Sequence, residues 1–308
     1  MEKLAFPNRI TIELTNQCNV SCSFCPRQDV DMEIGFMDMG LYKKIVDEAA
    51  LHLPVKLVLF FRGESLLHPQ FIQCLEYAKE KGLGPVQFAS NALALDEKTA
   101  DKMLDAGIDF ISFSLDTLNP EVYRSTRKSG NLSISMEHVV DLSRKCRERR
   151  ARGLPAPTLQ VSTIELEDYI EEQPEFIRFW KNYVDIVRVY YEHDEKGGFR
   201  NQELKSLLPV LDKRQACRKV FTDFLVYWDG RLALCNYDWK GGLEGLDMNR
   251  MTIQEAWDSP CYERVRAMHQ KGCFDGNIMC GDCQHWKIDY MPGGFLGKLY
   301  HGNDGTET

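Results

Sequence analysis

The chain has 308 residues, a formal net charge of −8, and 44% hydrophobic and 27% charged residues, which is ordinary globular composition. This length allows one large α/β domain, alone or with a small second domain. The acidic charge disfavours binding of nucleic acid by bulk attraction. Because the sequence has no run of 18 apolar residues and no N-terminal apolar segment, we expect no membrane span, no signal peptide and a cytoplasmic protein.

Strand-like and helix-like segments alternate through the first two thirds of the chain. Strands are predicted at 9–14, 55–61, 85–90, 109–116, 158–165 and 185–191. Helices are predicted at 39–50, 69–82, 97–107, 134–152 and 174–183. This alternation predicts a parallel sheet. Six β-α units are fewer than the eight of a closed barrel, so we expect an α/β fold with a partial, TIM-like (β/α)6 barrel over residues 1–200.

The pattern changes after about residue 200. Residues 224–238 predict a β-hairpin that turns at Asp229-Gly230. Residues 252–272 predict helix, with a capping box formed by Thr252 and Glu255 and a restart at Ser259-Pro260. A hairpin and a helix flanked by cysteines predict a small domain over residues 201–308 that is stabilised by bound metal.

Three of the eleven cysteines lie close together near the N-terminus. Cys18, Cys22 and Cys25 form a C-x3-C-x2-C run directly after the first predicted strand. In parallel α/β barrels the active site forms at the carboxyl ends of the strands. Three thiolates there could hold three irons of a [4Fe-4S] cube and leave the fourth iron open. The alternatives to such a cluster are a zinc site completed by a distant ligand and cysteines that are simply part of the core.

A second group lies near the C-terminus, and its four cysteines form two pairs. The hairpin brings the first pair together and a C-x2-C run supplies the second; the residues are Cys217, Cys235, Cys280 and Cys283. Four cysteines make a closed site, which fits either zinc or a fully ligated iron–sulfur cluster. Without a secretion signal, metal ligation is favoured over disulfides.

Two further cysteines have competing interpretations. Cys261 is predicted in the first turn of a helix, where the helix dipole lowers the pKa of a thiol. A small buried hydrophobe beside Trp257 is the plainer interpretation. Cys273 is interpreted as a loop thiol.

The N-terminal run, with aromatic Phe24 before its last cysteine, resembles the cluster motif of the radical S-adenosylmethionine (SAM) enzymes. The segment "FFRGESLLHP" resembles the family's Gly-Gly-Glu segment, although Arg62 stands where a glycine is usual. The resemblance implies that Gly63 and Glu64 receive the methionine amine of SAM.

Two later strand ends strengthen this resemblance. "ASNAL" is similar to the family's Thr-Asn-Gly segment and places Asn91 in the cofactor site, with Ser90 and Ala92 as departures. "FSLDT" resembles the segment that holds the SAM ribose and carboxylate, which implies roles for Ser114 and Asp116. These matches fall at the ends of successive predicted strands.

The C-terminal layout resembles the "twitch" domain, a shortened SPASM domain that binds one auxiliary [4Fe-4S] cluster through four cysteines. The whole layout is similar to that of the butirosin-pathway aminocyclitol dehydrogenase. The resemblance implies cleavage of SAM to a 5′-deoxyadenosyl radical, hydrogen abstraction from a C–H bond and an electron donor of the flavodoxin or ferredoxin type. It favours oxidation of a secondary alcohol of a carbohydrate or aminocyclitol, with the auxiliary cluster as electron acceptor.

An oxidation also needs a base for the hydroxyl proton, and the candidates are Glu192, His193 and Arg188. The main alternative is a radical epimerase of a sugar or peptide with Cys261, or else Cys273, as hydrogen donor. Peptide modification is a further alternative, made less favoured by the start of the first strand near residue 9. The basic segment 144–152 is interpreted as a solvated helix face, with RNA contact as the alternative.

Overall fold

A computed structural model of the chain describes residues 1–191, 209–211, 213–241, 243–274, 279–291 and 297–302. The strands are β1 Arg9–Ile12, β2 Lys56–Val58, β3 Val86–Ser90, β4 Phe110–Ser114, β5 Thr158–Glu165, β6 Ile186–Tyr191, β7 Asp223–Val226, β8 Leu232–Ala233 and β9 Lys298–His301. The α-helices are α1 Met39–Ala50, α2 Phe71–Glu80, α3 Glu97–Asp105, α4 Pro120–Thr126, α5 Leu132–Ala151, α6 Glu167–Ile170, α7 Gln173–Trp180, α8 Lys219–Thr222, α9 Ile253–Trp257 and α10 Pro260–Lys271. Short 3₁₀ helices span Pro26–Asp29, Ser65–Leu67 and His285–Tyr290.

The first six strands pair in chain order, and every one of these pairings is parallel. This confirms the predicted α/β partial barrel. Alternate side chains of each strand enter the apolar core shared with the helices, as Ile10 and Ile12 do in β1. The opposite face is polar, and there Gln160 of β5 donates a hydrogen bond of 2.7 Å to Ser112 of β4.

The predicted hairpin joins the barrel sheet. Strand β7 runs parallel to β1, and β8 pairs with β7 in the antiparallel sense. Phe224 and Val226 of β7 are buried in the same core as Ile10 and Ile12. The sheet order is therefore β8-β7-β1-β2-β3-β4-β5-β6-β9, with β9 antiparallel to β6. The division into domains at residue 200 stays a prediction.

Three short helices, α6, α8 and α4, were not predicted, and the longest of them is α4. Asn119 caps its N-terminus by accepting the backbone N–H of Glu121 at 2.9 Å, and Pro120 occupies the first turn. An Asn-Pro pair before a short helix is the sequence signal that could have found it. The split between α9 and α10 and the Thr252–Glu255 capping box are present as predicted.

The basic end of α5 is neutralised by acidic side chains. Arg149 pairs with Asp105 at 2.9 Å, and Arg150 pairs with Asp185 at 2.8 Å. These pairs support the interpretation as a solvated face. None of the helices in the described parts of the chain has the length and hydropathy that spanning a bilayer requires.

A buried ion pair joins the carboxyl ends of β1 and β2. Arg62 donates from Nε and Nη2 to the two carboxylate oxygens of Glu13, each at 2.7 Å. Its Nη1 donates to the carbonyl of Trp239 at 3.0 Å, and the guanidinium carbon lies 3.8 Å from the ring centroid of Tyr227. Arg62 therefore fixes the hairpin against the strand ends that carry the cofactor motifs.

Replacing Glu13 with Gln should lower the free energy of unfolding by about 3–5 kcal/mol, because it leaves the Arg62 charge buried without its partner. Urea unfolding followed by circular dichroism measures this loss. The matched control is Glu148→Gln, which breaks an exposed pair with Arg144 at 3.0 Å and should leave the midpoint unchanged. Equal midpoints for the two variants would show that the buried pair does not stabilise the fold.

Candidate cofactor sites

The loop after β1 carries Cys18, Cys22 and Cys25. Cys22 is buried and the other two are half-buried. Burial raises the pKa of all three thiols, that of Cys22 to about 11. Because the thiolate is the form that binds metal, such thiols ionise at neutral pH only when a cation takes the sulfur.

Contacts from the segment after β2 and from α4 hold this loop. The backbone N–H of Glu64 donates to the carbonyl of Gln17 at 2.8 Å, and that of Ser23 donates to the carbonyl of Thr126 at 2.7 Å. The loop is therefore anchored on the β2 side and on α4. Its three thiols are placed at the carboxyl edge of the sheet, where a barrel active site is expected.

Gly63 lies directly against the backbone of the cysteine loop. A Cβ atom at this position would approach the carbonyl oxygens of Thr15 and Gln17 to 2.4 and 2.5 Å. Such distances are impossible for a side chain, and the neighbours are backbone atoms that cannot rotate away. The predicted motif glycine is therefore a steric requirement of the loop.

Glu64 and Asn91 meet beneath the same loop. The buried carboxylate of Glu64 accepts the backbone N–H groups of Asn91 at 2.8 Å and Leu66 at 3.2 Å. Burial raises the pKa of Glu64, and these hydrogen bonds oppose the rise. The Asn91 side chain donates to Asn19 at 2.7 Å. Two predicted cofactor residues and the cysteine loop thus form one connected group.

Ala92 follows Asn91 with a φ of +66°, in the left-handed region. A glycine adopts this conformation without strain, which accounts for the glycine at the corresponding place of the motif that the segment resembles. The carbonyl of Ala92 is hydrogen-bonded to His138 at 2.8 Å, and the side chain is buried. This turn aims Asn91 back under the cysteine loop.

Asp116 lies two residues beyond the end of β4, and Ser114 ends that strand. Asp116 is buried, has a φ of +65°, and accepts hydrogen bonds from Nε and Nη2 of Arg127 at 2.7 and 2.5 Å. The Arg127 guanidinium carbon lies 5.7 Å from the ring centroid of Phe24, and its charge partly offsets the effect of burial on the pKa of Cys22. Sequence reasoning missed Arg127, because nothing in its local pattern marks it.

The four cysteines of the second group line a single cavity. Cys217 precedes α8, Cys235 follows β8, and Cys280 and Cys283 precede the last 3₁₀ helix. The structure thus places the four cysteines that the spacing paired on the walls of the same cavity. Within the described ranges, no three His, Cys, Asp or Glu side chains lie close enough together to share one metal ion.

Two of these thiols already accept backbone hydrogen bonds. The N–H of Tyr237 donates to Sγ of Cys235 at 3.4 Å, and the N–H of His285 donates to Sγ of Cys283 at 3.3 Å. The side chains of Tyr237 and His285 are hydrogen-bonded to each other beside the cavity. Burial raises the pKa of Cys235 to about 11. The burial of these thiols, like that of the first group, favours thiolates that are bound to a metal over free thiolates.

The other predicted site residues are Cys261, Cys273, Arg188, Glu192 and His193. Cys261, in α10, packs against the core and is not among the residues that line the cavity. Burial raises its pKa, against the lowering expected from the helix dipole. Cys273 is exposed. Arg188 of β6 packs against the ring of Tyr190 at 4.4 Å from its centroid. Glu192 and His193 lie outside the described residues.

The sequence model of the radical SAM superfamily matches residues 12–172, just over half of the chain. The chain belongs to the radical SAM superfamily. The matched region contains the three N-terminal cysteines and all the strand ends described above. The family predicted from the cysteine run and the strand-end motifs is therefore confirmed.

Among curated radical SAM proteins, a probable GTP 3′,8-cyclase of Methanocaldococcus jannaschii is 26% identical over 180 residues, which is 58% of this chain and 57% of that protein. The chain spans about half the length of the curated relatives it matches.

Two solved structures share the radical SAM fold. A crystal structure of BtrN in complex with AdoMet and 2-DOIA aligns with a TM-score of 0.56 at 16% identity, over 88% of this chain and 89% of that one. SuiB of Streptococcus suis bound to S-adenosylmethionine aligns with a TM-score of 0.67 at 15% identity, over 92% and 72%. At these identities the likeness is one of fold.

Replacing Gly63 with Ala should displace the cysteine loop and lower the rate of SAM cleavage by about 100-fold. The physical cause is the contact with the carbonyls of Thr15 and Gln17. Formation of 5′-deoxyadenosine under reducing conditions measures the rate, and iron content measures the loss of the cluster. Gly84→Ala is the control, since its added Cβ would lie 3.7 Å from Asp109 in ordinary contact. Wild-type iron content and rate in Gly63→Ala would contradict the steric account.

Proposed function

We propose that this radical SAM enzyme oxidises a secondary alcohol of a carbohydrate or aminocyclitol to a ketone, with one auxiliary [4Fe-4S] cluster as electron acceptor. The observation that carries the proposal is the single cavity lined by Cys217, Cys235, Cys280 and Cys283. Such a layout resembles that of a twitch-type domain, a shortened SPASM domain.

In the SAM site, Cys18, Cys22 and Cys25 would each hold one iron of a cluster, and the fourth iron would stay open for SAM. When bound, this cluster and SAM together supply a 5′-deoxyadenosyl radical that takes a hydrogen atom from the substrate carbon. Gly63 and Glu64 are proposed to receive the methionine amine. Ser114 and Asp116 are proposed to hold the ribose and carboxylate, and Asn91 and Phe24 are proposed to belong to the same cofactor site.

The buried Glu64 carboxylate suits this role. Its oxygens accept backbone N–H groups, which keep the carboxylate in place. The guanidinium of Arg127 donates hydrogen bonds to the Asp116 carboxylate, so the position of Asp116 is fixed before the cofactor arrives. Prepositioned acceptors of this kind bind a cationic amine or a ribose hydroxyl at little cost in side-chain entropy.

The electrons of the proposed reaction balance. One external electron, from a flavodoxin- or ferredoxin-type donor, is spent on SAM cleavage. The hydrogen atom of the carbinol carbon would end on 5′-deoxyadenosine, an auxiliary cluster held by the four C-terminal cysteines would take the second electron, and a base would take the hydroxyl proton. Arg188, Glu192 and His193 remain the proposed bases.

The eleven cysteines form no disulfide among the described residues, which fits a reducing compartment. We therefore propose that the protein is cytoplasmic.

The named relatives suggest competing reactions. The curated relatives include GTP 3′,8-cyclases and a cofactor-modifying protein, and one SuiB structure holds the precursor peptide SuiA. Epimerisation through Cys261 has less support, because that thiol is packed in α10 rather than at either cysteine group. The experiments below distinguish these reactions.

Anaerobically reconstituted protein should hold about eight irons, two cubes of four. Combined replacement of Cys217 and Cys280 with Ala should reduce the content to about four and leave the rate of uncoupled SAM cleavage within a factor of about two. Iron analysis and Mössbauer spectroscopy make the measurement. Cys146→Ala, which removes a buried thiol of α5, should keep about eight. About four irons in the wild type, or zinc at the second site, would overturn the auxiliary cluster.

Turnover in heavy water with candidate sugars, aminocyclitols and peptides should give a product two hydrogens lighter than the substrate, with Cys261→Ala as active as wild type. Mass spectrometry reads both the mass and the position of any deuterium. Solvent deuterium at carbon, lost in Cys261→Ala, would establish epimerisation instead. A product of unchanged mass without carbon-bound deuterium would indicate cyclisation or another rearrangement.

A further inference from the structure

Three side-chain N–H groups of the auxiliary cavity are buried without a hydrogen-bond partner in the part of the chain that the structure describes. They are Nε of Arg214, Nε2 of His269 and Nε1 of Trp286, and all three residues line the cavity with the four cysteines. Native folds rarely leave buried donors unpaired. We call these groups the donor triplet and ask what accepts from them.

The proton on His269 can be assigned from its contacts. Its Nδ1 lies 3.2 Å from the backbone N–H of Cys217 and accepts that hydrogen bond. In a neutral imidazole the proton then resides on Nε2, which makes Nε2 a donor. The same hydrogen bond ties the ring to one of the four cysteines, so the donor cannot turn away from the cavity without releasing Cys217.

Arg214 is fixed just as firmly. Its Nη1 donates to the carbonyl of Cys283 at 2.9 Å, and its Nη2 donates to the carbonyl of Cys280 at 2.7 Å. The guanidinium carbon lies 4.6 Å from the ring centroid of Phe274 and 5.0 Å from that of Trp286. The side chain therefore fixes the C-x2-C loop and leaves both its charge and its Nε–H at the cavity wall.

We propose that the donor triplet hydrogen-bonds the sulfur atoms of the auxiliary cluster and, with the charge of Arg214, raises its reduction potential. N–H donors and a nearby cation stabilise the reduced, more negative cluster more than the oxidised one. The triplet thus makes the cluster a better acceptor for the substrate electron. This inference rests on the auxiliary cluster of the proposed function, and the three residues act as positioning and tuning residues rather than catalytic ones.

Trp286→Phe is the most direct test, because it keeps an aromatic ring against Arg214 and removes the N–H. The midpoint potential of the auxiliary cluster, from redox titration monitored by electron paramagnetic resonance, should become more negative. A tenfold fall in the equilibrium constant for one-electron reduction corresponds to about 59 mV, and we expect a shift of that order. Exchangeable deuterium couplings at the cluster should weaken in the same variant.

The matched control is Trp180→Phe. Its Nε1 is also buried without a partner among the described residues, but it belongs to α7 and does not line the cavity. The potential should stay at the wild-type value. Arg214→Lys provides a second variant: it keeps the positive charge, loses the Nε–H together with the hydrogen bonds from Nη1 and Nη2, and should shift the potential in the same direction.

Different results would refute the donor triplet and the auxiliary cluster. If the wild type holds about eight irons but Trp286→Phe and Arg214→Lys leave the potential and the deuterium couplings unchanged, the donor triplet is refuted and the auxiliary cluster stands. If the wild type holds about four irons or zinc, the auxiliary cluster itself is refuted.

Discussion

The SAM-binding half of the molecule depends on one close approach of two backbone segments. Gly63 lies so near the carbonyls of Thr15 and Gln17 that no side chain fits between them. This contact sets the path of the cysteine loop, and the hydrogen bond from Glu64 to Gln17 secures it. Glu64 is then placed to meet Asn91, and through Asn91 the contact extends to β3 and Asn19.

The Glu13–Arg62 pair extends this arrangement toward the C-terminal residues. Arg62 precedes Gly63, binds Glu13 at the end of β1 and reaches the carbonyl of Trp239, four residues beyond Cys235. Strand β7 pairs with β1, so the hairpin is also held by main-chain hydrogen bonds. The C-terminal cysteine group is thus positioned relative to the N-terminal cysteine loop by a sheet and a buried ion pair.

Much of this could be predicted because the signals are local. Cysteine spacing, strand-end polar residues and helix caps lie within a few positions of one another, and so the cysteine groups and the barrel were accessible from sequence. Arg127 and Asp116, or Glu13 and Arg62, are separated by 11 and 49 residues, and no spacing rule pairs them. In the sequence, Arg62 is visible only as a departure from the glycine of the Gly-Gly-Glu segment. Its ion pair with the buried Glu13 explains why an arginine stands there.

The pairing of β7 with β1 escaped prediction for a related reason. A short alternating strand next to a turn signal looks the same whether it forms an isolated hairpin or completes a larger sheet. Cys261 illustrates a different limit: its place in the first turn of a helix was correct, but its burial raises the pKa that the dipole was expected to lower. The burial of a residue depends on tertiary packing, which its position in a helix does not specify.

The central claim is that the two cysteine groups have different functions. The N-terminal group would hold a cluster that is open to SAM, and the C-terminal group would hold a cluster that is fully ligated. Electron–nuclear double resonance with SAM carrying ¹⁵N in its amine tests it directly, in two variants that each retain only one cysteine group. We predict a ¹⁵N coupling to the cluster held by Cys18, Cys22 and Cys25, and none to the cluster held by the other four. A coupling in the variant that retains only the C-terminal group, or its absence in the other, would contradict the account.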